Sequence, residues 1–288
     1  MTFASLDDFL RRGTDLLAKG PVALLFIEDG TEIASSLAHL RDAGFRQILA
    51  LTPLGLDLPA DLPANIHRID YATQAEAAVP TAVNAMIAAA PETTWFYYGY
   101  NAEYLFHPFC ETRNVRELLA FHAEERRDAM LTYVVDLYAA DLDRYPDAVS
   151  LEHAMLDRSG YYALARNDAQ GKALERQLDF FGGLRWRFEE HIPKGRRRID
   201  RIALFRAQPG LTLRDDHTFS IEEYNTYACP WHHNLTAAIV SFRTAKALRT
   251  NPGSRFDIPT FAWHNSLPFD WSSRQLMDLG LMEPGQWF

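Results

Sequence analysis

The chain has 288 residues, 48% hydrophobic and 23% charged, which is the balance of a globular protein and leaves room for one large α/β domain or two small ones. Acidic residues exceed basic ones by nine, which argues against a general nucleic-acid binder, because that role needs a basic surface to release counterions. Two cysteines, Cys110 and Cys229, are too few for a secreted disulfide scaffold. The longest purely apolar run, residues 22–27, falls far short of the roughly 20 residues that span a bilayer. Asp7 and Asp8 stand where a signal peptide needs a basic stretch, so a cytoplasmic protein without a transmembrane segment is expected.

Ser5-Leu6-Asp7-Asp8 fits a capping box, and Phe9, Leu10, Leu16 and Leu17 then share a helical face that Gly20-Pro21 ends. Residues 22–27 read as a strand covered on both faces. A helix is expected from about Thr31, with Ile33, Leu37 and Leu40 inside and Gly44 as its stop. Residues 47–51 read as the next strand, which completes a βαβ unit and implies a parallel pair. A proline-rich loop follows over 52–64, then a strand over 66–71. Residues 73–90 read as a helix that Pro80 must kink or restart. Strands over 95–100 and 129–138 bracket a helix over 115–124, and this alternation argues for an open, mostly parallel sheet flanked by helices.

Beyond residue 140 the rhythm breaks. Residues 141–171 are polar and read as irregular, 185–188 and 202–205 as short strands, and 235–248 as a helix. No linker separates two domains, so the chain reads as one α/β domain over 1–288. Residues 1–140 form its regular half and 141–288 its irregular one.

Ligands of open α/β sheets sit beyond the carboxyl ends of the strands. Neither of the two common phosphate-cradling glycine loops stands at any of them, which disfavours a dinucleotide dehydrogenase or a nucleoside-triphosphatase. Glu28 and Asp29, just past the first core strand, are candidates for a base or ribose contact. They read equally as a solvated turn that caps the next helix.

The element order, followed by Thr94-Trp95-Phe96-Tyr97-Tyr98-Gly99-Tyr100-Asn101-Ala102-Glu103-Tyr104-Leu105, resembles bacterial family 2-type glycosyltransferases of the GT-A fold. The likeness continues through His107-Pro108-Phe109-Cys110-Glu111-Thr112-Arg113, Val134-Val135-Asp136-Leu137-Tyr138 and Phe180-Phe181-Gly182-Gly183-Leu184-Arg185-Trp186-Arg187-Phe188. It ends with Ala238-Ile239-Val240-Ser241-Phe242-Arg243 and the segment from Trp271 to Met282, and it covers roughly residues 20 to 285 in matching order.

What the resemblance implies is a Rossmann-like fold binding a nucleotide-sugar donor, with an unknown glycan or lipid-linked acceptor. In the family an Asp-x-Asp pair holds a divalent metal against the donor diphosphate, since a hard cation takes oxygen ligands. Here Tyr100 and Ala102 stand in its place, with Asn101 between them and Glu103 retained, while Ser241 stands at a later family histidine. The implied cofactor is therefore none, with Mn²⁺ or Mg²⁺ through Glu103 as the alternative. Tyr100 and Asn101 are donor-site candidates by position.

Without a metal, Arg185, Arg187 or the Lys194 to Arg198 cluster would neutralise the diphosphate. On a strand, Arg185 and Arg187 would face one side and share an anion. The basic cluster reads equally as a solvated turn. Glu103, Asp136, Glu189 and Glu190 are the acid–base candidates, with Asp215 and Asp216 behind them. A distinct reading pairs His107-x-x-Cys110 with Cys229-x-x-His232 around a structural zinc, although halves more than a hundred residues apart are unusual for such a module. The expectation is a glycosyltransferase-like protein that works without metal, or a non-catalytic binding protein of the same fold.

Overall fold

The computed structural model describes residues 1–226 and 234–287. In chain order the elements are β1 (Thr2–Phe3), α1 (Leu6–Arg12), β2 (Val22–Phe26), α2 (Ile33–Asp42), β3 (Gln47–Thr52), β4 (Ile66–Asp70), α3 (Ala78–Ala89), β5 (Trp95–Tyr100), β6 (Glu103–Phe106) and α4 (Val115–Glu124). They continue with β7 (Ala129–Ala139), β8 (Ala154–Asp157), β9 (Tyr162–Asn167), β10 (Ala173–Phe181), α5 (Gly183–Arg187), β11 (Asp200–Arg206), β12 (Ala237–Ser241), α6 (Arg243–Thr250), β13 (Ser266–Pro268) and α7 (Ser273–Asp278). The chain is α/β, its sheet mixed but mostly parallel and flanked by helices. None of the helices among the described residues is long and apolar enough to cross a membrane.

Two compact units interleave along the sequence. The first holds Met1–Leu105, Thr112–Leu131 and Ile202–Asn225; the second holds Phe106–Glu111, Thr132–Arg201 and Thr226–Phe288. A division near residue 140 therefore follows the change of rhythm in the sequence but not the packing of the chain.

In the first unit, β2 pairs in parallel with β3 on one side and β5 on the other, and β3 pairs in parallel with β4. Val22, Ala23, Leu24, Leu25 and Phe26 are all essentially inaccessible, which accounts for an apolar run with no polar alternation. Burial of a Val, Leu or Phe side chain contributes about 1.5–3 kcal/mol, so this strand anchors the unit. Helix α1 starts where Ser5 accepts from the Asp8 amide and ends at Gly13, not at Gly20, because the chain tightens into a separate 3-10 helix over Thr14–Lys19 that carries Leu16 and Leu17. Helix α4 carries a complete capping box, in which the Asn114 side chain takes the amide of Glu117 and the Glu117 carboxylate takes that of Asn114. Helix α3 begins at Ala78 and not at residue 73, so Pro80 marks a restart without a kink: it lies in the first turn, where a missing N–H costs nothing.

The second unit departs from the sequence reading in three places. Residues 185–188 are not a strand: Gly183–Arg187 is a short helix, because Gly182 and Gly183 let the chain turn sharply after β10. Gly183 has φ of +60°, and a Cβ there would lie 2.9 Å from a carboxylate oxygen of Asp136. Residues 235–248 are not one helix. The β-branched and small residues 237–241 extend as β12, parallel to β7 with Ser241 opposite Asp136, and only then does α6 begin. Residues 141–171 are not wholly irregular, since β8 pairs with β7 and β13, and β9 begins a hairpin with β10. β8 is only four residues long and β9 is exposed on both faces, so neither offers the long apolar period that marks a strand in sequence.

His122, on the inner face of α4, is buried and hydrogen-bonded to the Ala129 carbonyl at 2.8 Å, a bond it donates from Nε2. Burial pushes its pKa down to about 4. His67, also buried from solvent, shifts the same way to about 4, again mainly through desolvation. The unfolded chain therefore binds more protons between the ordinary histidine value and pH about 4. Stability is full above that window and falls as pH drops through it. Urea unfolding followed from pH 7 to pH 4 is expected to show this loss, and His122→Gln to flatten it by up to about 3 kcal/mol. An unchanged slope in the variant would contradict a neutral buried imidazole.

Candidate functional site

In the first unit β2 lies between β3 and β5, all parallel, so the strand order turns back on itself between β2 and β5. The loops leaving those two carboxyl ends diverge, and this is where open α/β sheets place ligands. Asn101 stands at the point of divergence, fully buried. Its Oδ1 accepts the Glu28 amide at 2.8 Å, and its Nδ2 donates to the carbonyls of Asp29 and Thr31 and to Asp29 Oδ1 at 3.0 Å. The Asn101 amide in turn donates to the Phe26 carbonyl. Thr73 and Gln74 hold the same loop through the carbonyls of Ile27 and Glu28. The loop after β2 is therefore fastened from two sides.

The expected donor-site residues thus gather at one sheet end, but in different roles. Glu28 and Asp29 are partly exposed in the clasped loop. Asn101 is committed to backbone, and Tyr100 is buried against Phe26. Glu103 is also buried, its Oε2 accepting the Tyr100 amide across the tight turn in which Ala102 adopts φ of +58°. A divalent cation needs several converging oxygen ligands. Among the described residues no group of three or more His, Cys, Asp or Glu side chains has that arrangement. Glu103 has one carboxylate oxygen occupied by the Tyr100 amide. Cys229 and His232 lie outside the described residues; His107 is buried, and the Cys110 thiol, pushed up by burial to about 11, is far from a thiolate.

Beside the clasp lies an open cleft of about 370 Å³ lined by Gly30, Glu32, Ile33, Ala34, Asp57, Leu58 and Pro59, at the carboxyl ends of β2 and β3. Glu32 opens α2 with φ of +52°, and its carboxylate takes the Ser35 hydroxyl, itself 2.9 Å from Tyr104 Oη. Desolvation raises the Tyr104 pKa to about 12, so that hydroxyl stays protonated. Two carboxylates on a cleft accept hydrogen bonds from hydroxyls and amides, and they repel phosphate at the same spot. Glu32 and Asp57 were not singled out by sequence. The signal available for Asp57 was its place in the proline-rich loop following the second strand of the βαβ unit.

The second unit contains a different cluster. Asp136, completely buried in β7, has Arg185 Nε at 3.7 Å and receives the Arg185 backbone amide at 3.4 Å. Burial raises its pKa, and the Arg185 guanidinium and Thr244 hydroxyl oppose the rise. Arg185 is itself held by the Arg198 carbonyl at 2.6 Å and Thr244 Oγ1 at 3.1 Å. Arg187 turns elsewhere. It donates to both oxygens of buried Asp157 at 3.1 Å and to the Phe261 carbonyl, and stacks 4.5 Å from the Trp263 ring. Asp157 also accepts from Tyr138 Oη and Trp263 Nε1. The expectation that Arg185 and Arg187 share one side of a strand is corrected: two apart on a helix they point in different directions, each onto its own buried carboxylate. Asp157 is the hub that sequence reading missed, and no local pattern marks it. Glu189 and Glu190 are exposed, the former bound to Arg197. Lys194 is exposed on a 3-10 turn, and Asp216 accepts from Thr218.

No protein-family model matches this chain, and no curated protein matches it. What is shown is the fold class: an α/β protein whose mixed, mostly parallel sheet is flanked by helices.

Two substitutions test these roles. Asn101→Asp keeps the acceptor for the Glu28 amide but sets a second carboxylate against Asp29; a destabilisation of about 2 kcal/mol is expected in urea unfolding at pH 7. Arg187→Ala strands Asp157 without its cation, with an expected cost of about 3–5 kcal/mol. A normal unfolding midpoint for Arg187→Ala would return that side chain to the list of free anion-binding groups.

Proposed function

We propose that this chain is a glycosyltransferase-like protein that takes a nucleotide-activated sugar at the carboxyl ends of β2, β3 and β5. The observation that carries this reading is the open cleft at the carboxyl ends of β2 and β3, lined by Glu32 and Asp57 and next to the loop of Glu28 and Asp29 that Asn101 clasps where the strand order turns back. Acid side chains at that place suit the vicinal hydroxyls of a ribose, which donate hydrogen bonds and carry no charge. The likeness of residues 20–285 to family 2-type glycosyltransferases supports the same class of ligand. Fold alone does not define an activity, and the reading rests on the site.

A second reading, a non-catalytic binding protein of the same fold, is favoured by one specific observation. At the positions where the family has its metal-binding pair, Asn101 is spent on backbone, Ala102 carries no ligand atom and Glu103 closes a turn. Among the four acid–base candidates, Asp136 and Glu103 are buried and Glu189 is held by Arg197. Binding without transfer would leave all of these in place.

Calorimetric titration with a panel of nucleoside diphosphates and nucleotide sugars, with manganese and then with chelator, separates the readings. The expected result is binding of at least one nucleotide sugar that survives the chelator and weakens about ten-fold or more in Asp57→Ala. Transfer of the sugar to an acceptor would decide for the enzyme, and binding with hydrolysis and transfer both absent for the second reading. No binding across the panel would overturn the transferase and leave the second reading with a glycan or a protein as its partner.

A further inference from the structure

The β9–β10 hairpin and the turns that follow it carry most of the exposed large apolar side chains of the second unit. Tyr162 is 44% exposed, Leu164 55% and Trp186 40%. Tyr162 and Leu164, two apart on β9, share a face of the ribbon, and Tyr162 stacks on Phe181 of β10 with ring centroids 5.3 Å apart. Trp186 adjoins this end of the ribbon, its ring against Gly160 just before β9. Phe181 is bridged to Arg198, which brings the basic turn 194–198 to the same place.

That turn divides its cations. Arg197 is bound by Glu189 and Arg198 by Asp179. Lys194 and Arg196 are exposed and form no ion pair among the described residues. In a chain with net charge −9, Lys194 and Arg196 stand beside exposed Trp, Tyr and Leu, while the neighbouring acids Glu189 and Asp257 face Arg197 and His191. The loop carrying Phe256, 80% exposed with Arg255 over its ring, reaches the same neighbourhood: Asp257 pairs with His191, three residues before Lys194, and Ile258 joins the small core that Phe188 and Ile192 pack against.

We propose that this surface docks the protein on an anionic lipid surface. Aromatic side chains settle at the headgroup level, where one end is apolar and the other wet, and lysine and arginine beside them meet the lipid phosphates and carboxylates. A protein partner would leave the two cations to pair with specific acids, whereas a fluid anionic surface needs only their sign and exposure. The inference is independent of the nucleotide-sugar reading: the ligand cleft is formed by other residues, and either can fail alone.

Co-sedimentation of the full chain with vesicles of phosphatidylcholine alone and of phosphatidylcholine mixed with phosphatidylserine tests it. Binding is expected to the mixed vesicles and not to the neutral ones, and to decline with added salt. Lys194→Glu with Arg196→Glu is expected to reduce the partition coefficient about ten-fold or more, and Leu164→Ser with Trp186→Ser to reduce it without changing its salt dependence. All four side chains are exposed, and circular dichroism of each variant confirms that the fold is kept. Absence of sedimentation with mixed vesicles, equal binding to neutral vesicles, or unaltered binding by the charge-reversed variant would each overturn the proposal.

Discussion

Each side chain of β2 is no more than 1% exposed, and a strand with no solvent face has to be covered on both sides and paired on both edges. That requirement places β3 and β5 beside it, both parallel, and parallel pairing demands crossover connections that pack helices on the sheet. The clasped sheet end is a consequence. Chains that leave β2 toward β3 and enter β5 from the far side must part at the carboxyl ends. The loop polar groups exposed by that parting need partners, which Asn101, Thr73 and Gln74 supply.

Both buried clusters illustrate how polar side chains behave when water is removed. An amide side chain with one acceptor and two donors closes a loop with no charge to desolvate, so Asn101 serves well where a carboxylate would face Asp29. The carboxylates of Asp136 and Asp157 cannot be neutralised by water, and each is met by its own arginine. For Asp157 the arrangement is nearly saturated, with tyrosine, tryptophan and arginine donors converging on two oxygens. Asp136 is less well provided, which is why burial still raises its pKa against the pull of Arg185. Such pairs contribute little net stability but make the removal of one partner costly, so they set the geometry of α5 against β7 more firmly than apolar contacts alone would.

Exposed groups divide in the same manner. Arg197 and Arg198 find acids within the turn and the ribbon, while Lys194 and Arg196 remain exposed to solvent. A run of four cations in five residues is thus two structural arginines and two available charges, a distinction that composition does not contain.

Much of the first unit was legible in the sequence. The run at 22–27, the capped helices α1 and α4, Gly44 and the alternation through residue 138 follow from local rules, since hydrophobic period, caps and turn residues act over a few positions. The gathering of Glu28, Asp29, Tyr100 and Asn101 at one sheet end was also readable, from strand polarity. What only the tertiary structure decided were the partners: that Asn101 is spent inside a loop, that Arg185 and Arg187 part on a helix, that Asp157 takes one of those arginines and that Asp57 lines the cleft. The reason is physical. Local propensity selects an element's backbone, but the role of a polar side chain depends on which distant donor or acceptor folding brings within 3 Å or so, and on whether water is left to compete.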